Sequence, residues 1–255
     1  MVSQDQRKRD GECFVMKKII ALLFLCSGWA HAWTYVQSTT TTFSGCTGVS
    51  NSITVTAGDM LTAGCWLGAA YNSFSGTTLT DSAGDNFVLN VSTYPPVGGT
   101  QYPFGIFSST GAVGGATTFT FSPQGCNAVG FCLIEERSGQ TNTNMFDVAS
   151  GSAPIANGTL ATTLSTTTSN TNELMVSYLY DGQVSTTSAT GTARAYLSNS
   201  TYGVYIFSQD AVVPTASVYI STWNLNSSIN WEALQASYNP VAGGGGSTTG
   251  THTYY

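Results

Sequence analysis

Two stretches of the chain, and its many scattered serines, carry residue types that can do chemistry, and each meets an objection from spacing or company. Glu135-Glu136-Arg137 sets two carboxylates beside a cation. Neighbours on a strand point to opposite faces, so this pair cannot flank one scissile bond; one glutamate is expected to face solvent or to pair with an arginine. Asp81-Ser82-Ala83-Gly84-Asp85-Asn86 offers oxygen ligands at Asp81, Asp85 and Asn86, a weak calcium candidate. It lacks the alternating ligand order and distant bidentate glutamate of an EF-hand loop, so a turn between two strands is the better reading. Serine is abundant, but no G-x-S-x-G elbow occurs, and the only histidine after residue 32 is His252, near the C-terminus. A serine nucleophile in the folded region would have no histidine base. Glycine clusters such as GAVGG precede strand-like runs where nucleotide motifs need a helix. No catalytic residue, metal or cofactor is expected, and the chain does not read as an enzyme.

The N-terminus says where the protein works. Met16-Lys17-Lys18 is a short basic region, IIALLFLCSGW is an apolar run too short to span a bilayer, and Ala30-His31-Ala32 is a small-x-small cleavage site. Residues 16–32 therefore read as a secretory signal peptide cleaved after Ala32, and residues 1–15 as an over-extended start upstream of Met16. A lipoprotein signal acylated at Cys26 is disfavoured by Leu25, where a small residue is wanted. The expected product is secreted, extracellular or periplasmic, without a membrane-inserted segment.

Beyond Ala32 the chain has no lysine, two arginines (Arg137 and Arg194) and ten acids, a net charge of −8. Of these 223 residues, 38 are threonine and 28 serine, so hydroxyls replace charge on the wet side of strands. The lack of a basic patch to displace counterions argues against nucleic acid and anionic membranes as partners. Four cysteines remain, Cys46, Cys65, Cys126 and Cys132, without the spacing of a zinc finger or ribbon. An even number in an exported chain points to disulfides. The favoured pairing is local, Cys46 with Cys65 and Cys126 with Cys132.

Strand-like runs recur along the chain. Ile53 and Val55 alternate with Thr54 and Thr56, the TAGD turn follows, and Leu61, Ala63, Cys65 and Leu67 share one face of a return strand, a hairpin with its cysteine inward. Runs at 87–94, 104–110, 116–122, 129–136, 159–167, 173–180, 193–197, 202–208, 216–225 and 229–236 follow, separated by Gly- or Pro-bearing turns. The fold class is all-β: a single, mostly antiparallel β-sandwich, Ig-like or jelly-roll-like, over residues 33–239, with no sequence repeat that divides it. Residues 240–255 read as a Gly-rich flexible tail or linker.

Aromatic residues are the candidate binding feature. Tyr178 and Tyr180 share a strand face, Tyr202 and Tyr205 lie on another strand, and Tyr219, Trp223 and Trp231 lie near the C-terminal end of the sandwich. Exposed, they would stack on sugar rings; buried, they are core, which is the favoured use.

The succession SNSITVTAGDML, DSAGDNF, CLIEERSG and TTTSNTNELMVSY resembles, over about residues 34–237, a family of exported bacterial Ig-like or jelly-roll-like modules. Those modules show an S-N-x-I-x-V-x-x-G-D hairpin, a D-x-x-G-N turn, an E-x-S-G strand end and an N-E-L strand start. This chain departs in placing Asp85 before Asn86, and Arg137 where an aromatic is common. The resemblance implies a secreted or surface β-sandwich, often joined to other modules, with no catalytic residues to carry over. The expected role is non-catalytic binding, adhesion or structure. The partner would be a polysaccharide or cell-surface component, or further copies paired through an edge strand or the C-terminal tail.

Overall fold

The computed structural model describes residues 33–68, 74–93, 96–97, 100–123, 128–138, 145–151, 158–182 and 186–240. The expected leader, Cys126 and the chain from Val241 onward lie outside the described residues. The first half of the described chain holds β1 (Thr34–Gly45), β2 (Gly48–Val49), β3 (Ile53–Val55), β4 (Met60–Leu67), β5 (Thr78–Asp81) and β6 (Val88–Thr93). A short antiparallel pair, β7 (Pro96–Val97) and β8 (Thr100–Gln101), precedes β9 (Phe104–Thr110), β10 (Gly115–Thr117), β11 (Phe119–Ser122) and β12 (Ala128–Ser138). The second half holds β13 (Phe146–Ser150), β14 (Gly158–Thr162), β15 (Thr166–Thr167), β16 (Glu173–Asp181) and β17 (Thr186–Ala189). It ends with β18 (Thr192–Asn199), β19 (Val204–Val213), β20 (Val218–Tyr219), β21 (Thr222–Ile229) and β22 (Trp231–Tyr238). No helix among the described residues is long and apolar enough to cross a membrane.

The all-β antiparallel sandwich is present as two five-stranded sheets, β1-β12-β4-β9-β6 and β13-β22-β16-β19-β18, stacked face to face. Their shared core contains Met60, Trp66, Phe104, Ile106 and Leu133 from the first sheet, with Leu174, Val176, Ile206, Leu234 and Tyr238 from the second. Each sheet is also covered on its other face. Strands β2-β11-β5 and β10-β3 close a second core around Leu61, Ala63, Cys65, Phe119 and Phe121. Strands β14-β21-β17 and β15-β20 close a third around Leu179, Trp223, Leu225 and Ala233. Burial on both faces explains why MLTAGCWL and WEALQASY show no exposed position: alternation sends side chains into one core or another, never to water.

The two halves repeat one pattern. With β7 and β8 set aside, β1–β6 correspond in order to β13–β18 and β9–β12 to β19–β22, and every sheet order in the first half recurs in the second. The turn entering the central strand is shared too, with Gly58 (φ 87°) in the first half and Asn172 (φ 60°) in the second both left-handed. With those turns aligned, Gly64 corresponds to Tyr178 and Trp66 to Tyr180. Equivalent residues meet at the centre. A Cβ on Gly64 would lie 2.4 Å from the Tyr178 ring, and the Trp66 and Tyr180 rings are 5.5 Å apart.

Two expectations from the sequence are corrected here. Ile53–Leu67 is not a hairpin: β3 pairs with β10 and β4 with β12 and β9, so the TAGD turn carries the chain from an outer layer to an inner one. The disulfide is Cys65–Cys132, which excludes both favoured local pairs, since β4 and β12 are neighbours with these residues directly opposite. Cys46 is also disulfide-bonded. The Cys65–Cys132 bridge closes 67 residues of chain. In chain-entropy terms that stabilises the fold by about 4 kcal/mol. The double substitution Cys65→Ala with Cys132→Ala should lower stability by about that amount, read as a drop in the urea midpoint against the oxidised parent.

Candidate functional site

The ionisable groups of this fold point inward. All ten acids beyond Ala32 fall among the described residues, and none is fully exposed. Of the two arginines, Arg137 is fully buried, and Arg194 is half-buried, with 27% of its side chain exposed.

Strand alternation sends Glu135 and Arg137 into the layer between the two five-stranded sheets, and Glu136 into the opposite layer. Arg137 donates from Nη2 to Glu135 Oε2 (2.8 Å), from Nη1 to Thr62 Oγ1 (2.6 Å) and from Nε to Asp210 Oδ2 (3.1 Å). The hydroxyls of Tyr178 and Ser208 donate to the two Glu135 oxygens at 2.8 and 2.6 Å. Since Tyr178 spends its proton on Glu135, Thr62 donates to the Tyr178 oxygen at 2.8 Å. Asp210 in turn accepts from Arg194 Nε (2.8 Å). Burial works against the Arg137 charge, but Glu135 and Asp210 outweigh it and hold the guanidinium above its ordinary pKa. Burial, then the Glu135 charge, pushes the Tyr178 phenol up, so it stays a donor. The Glu-Glu-Arg motif is thus a closed clamp between sheets. Glu135 pairs with an arginine as expected, but Glu136 does not face solvent.

Glu136 is fully buried and accepts from the Thr56 N–H (2.7 Å) and the Gln37 amide. Asp59 lies beside it with an Oδ2 that no donor reaches. Burial, then the Glu136 carboxylate, raises the Asp59 pKa to about 7. In the second half Glu173 caps the equivalent Asn170 N–H, and burial raises its pKa. Glu232 is a further inward acid that the sequence reading missed. Neither oxygen has a hydrogen-bond partner, and burial alone pushes its pKa well above the usual range; it lies opposite Tyr180.

The aromatic candidates do not assemble. Tyr178 and Trp223 are buried in different cores, and Tyr205 is also buried. Tyr180 is half-buried against Trp66 and Phe104. Tyr202 is exposed in the turn before β19 and packs on Phe131, while half-buried Tyr219 donates its hydroxyl to the Thr215 carbonyl. Trp231 is buried in the third core. No stacking platform forms from this set.

The Asp81–Asn86 stretch is the turn it was read to be. Asp81 Oδ1 accepts from the N–H groups of Ala83, Gly84 and Asp85 at 3.1, 2.8 and 2.9 Å, and Asp85 Oδ1 accepts from Val113 N–H at 2.8 Å. Among the described residues, no group of three or more His, Cys, Asp or Glu side chains could hold a metal ion. Beside this turn, where the outer layer leaves the β6–β9 edge of the inner sheet uncovered, lies a cleft of about 270 Å³. Phe74, Phe87, Phe107 and Leu89 form its apolar walls, and Asp85 lines it with Thr77 and Asn86. Gly105 lets Phe74 lie against β9, since a Cβ there would sit 2.9 Å from the Phe74 ring. Nothing in the sequence pattern marked this cleft, a concave feature among the described residues.

Replacing Arg137 by Met leaves Glu135 and Asp210 buried without their cation and should cost about 3–5 kcal/mol, against about 1 kcal/mol or less for Arg194→Met. Urea unfolding of both variants checks the ratio. The folded state holds the Asp59 proton more tightly than the unfolded chain, so the stability this group contributes is fully present at acid pH and is lost as pH rises from about 4 to about 7. Asp59→Asn should flatten part of that slope in urea midpoints measured across the window. Compared with protein-family models, curated proteins and solved structures, the chain matches none.

Proposed function

We propose that this chain is an exported, non-catalytic β-sandwich module that acts outside the cytoplasm in binding, adhesion or structure. The observation that carries the reading is the placement of charge. Glu135, Glu136, Arg137 and Asp210, the groups with reactive potential, are fully or almost fully buried and hold one another or backbone N–H groups. What remains outside among the described residues is hydroxyl and amide groups with scattered apolar side chains such as Val49, Val113 and Tyr196, a surface suited to neutral, hydroxyl-rich polymers and poorly suited to polyelectrolytes. The buried Cys65–Cys132 bridge is compatible with an oxidising compartment, as is a leader cleaved after Ala32.

A second reading is self-association, supported by sheet edges that lack charge. Strands β1 and β6 border their sheet and carry no Lys, Arg, Asp or Glu, the residues that ordinarily block pairing with another molecule. Light scattering over a wide concentration range separates the readings: growing assemblies support the fibre, and a persistent monomer sinks it.

For the binding module, retention on insoluble neutral polysaccharides or on cell envelopes should be nearly unchanged between low and molar salt. Elution by salt would contradict the neutral-surface reading. Hydrolysis of the polymer, abolished in Glu135→Gln, would replace it with an enzyme.

A further inference from the structure

Most aromatic rings of this chain fill its cores, but Tyr196 is 67% exposed on β18, the strand that ends the second five-stranded sheet. Its position is fixed from below. Arg194 and Ala195 together stand opposite Ser208 in a bulge, after which Tyr196 pairs with Phe207 and Leu197 with Ile206. The Ala195 N–H donates to Ser208 Oγ at 3.1 Å and Arg194 Nε donates to Asp210, so the bulge hangs from the same clamp that orders the central layer. Bulges re-aim side chains, and this one sets Tyr196 on the face turned away from that layer.

The ring has a partner. Phe207, half-buried, stacks with it at 6.1 Å between centroids and 21° between planes. That spacing exceeds the about 3.5–4 Å of direct face-to-face contact, so the rings are offset and make one continuous apolar strip. Around the strip the groups are polar and uncharged. Ser198 is exposed on the same side of β18, and the strand pairs with β19 alone, so backbone N–H and C=O groups line its other edge. Of the charged side chains on β16, β18 and β19, Glu173 and Asp181 are fully buried, and Arg194 is turned to Asp210.

We propose that a neutral sugar ring of a polysaccharide stacks on the strip formed by Tyr196 and Phe207, with its hydroxyls bonded to Ser198 and to the outer edge of β18. The proposal rests on the binding reading above and gives it a site. A pyranose has an apolar face of C–H groups rimmed by hydroxyls, which matches an aromatic strip rimmed by hydroxyl and backbone groups. A lipid or other apolar guest would leave that polar rim unpaired, and an ionic guest would find no opposite charge. Because strand, bulge and rings are already ordered, binding costs little in conformational freedom.

The test is retention of the purified, oxidised protein on insoluble cellulose, chitin and starch. On whichever polymer holds the parent, Tyr196→Ala should weaken binding about fivefold to tenfold. Its urea midpoint should be little changed, since the side chain is largely in water. Tyr196→Phe keeps the ring and should bind as the parent does. Tyr202→Ala removes an exposed ring that packs on Phe131 of the central core, away from the strip, and should also bind normally. Unchanged retention of Tyr196→Ala overturns the platform and leaves the binding reading standing. An equal loss in Tyr202→Ala overturns it too, as general surface adhesion. A parent held by none of these polymers overturns the platform as well; if cell envelopes also fail to hold it, the binding reading falls with it.

Discussion

A guanidinium between two apolar sheets is tolerable only when its N–H groups find acceptors and its charge finds carboxylates, and Arg137 imposes that requirement on the centre of this fold. The answer is drawn from both halves: Glu135 and Thr62 from the first, Asp210, with Tyr178 and Ser208 completing the Glu135 shell, from the second. Strands β4, β12, β16 and β19 must therefore stand in one register and at one spacing. Hydrophobic contact between the sheets is non-directional and would allow sliding; these hydrogen bonds do not. Because a buried ion pair gains little net energy over apolar packing, its contribution here is to specify one arrangement and to make departure from it costly.

The same layer explains how two copies of one ten-strand pattern face each other without resembling each other. Residues that meet across the centre have to be complementary. Gly64 makes room for its own counterpart, Tyr178. By the same alignment, Glu135 and Arg137 correspond to Ala236 and Tyr238, so the charge comes from β12 and its remaining acceptors from Thr62 of β4 and Asp210 of β19. Opposed faces that select small against large and charge against hydroxyl erase sequence similarity while leaving strand order intact.

That is why strand positions were legible in the sequence and the repeat was not. Alternation and turn residues located β4, β9, β16 and β22 to within a residue or two, because local patterning decides whether a segment is a strand. Pairing is a long-range property. Nothing local in SNSITVTAGDMLTAGCWLG says that the turn joins two layers, so a hairpin was the natural reading, and the same preference for short range mispaired the cysteines. Burial of Glu136 was illegible for a related reason: a four-layer fold buries both faces of β12, whereas a two-layer sandwich leaves one wet. The large aromatics Tyr178 and Trp223 followed the ordinary rule and filled cores.

A chain with no lysine beyond Ala32 has little means of balancing surface carboxylates, and this fold instead takes most of its acids inside, as pairs with arginine, as caps on part-buried N–H groups, or as unpaired acids such as Glu232 whose pKa burial raises. The exterior that results is nearly free of charge, which links the energetics of the core to the proposed role outside the cell. Carbodiimide-driven amidation of the folded, oxidised protein, mapped by peptide mass spectrometry, tests this most directly. The account predicts reaction at the half-buried Asp81, Asp85 and Asp147, with Glu135, Glu136, Asp210 and Glu232 reacting only on unfolding. Modification of those four in the folded protein, at the rate of the first three, would contradict it.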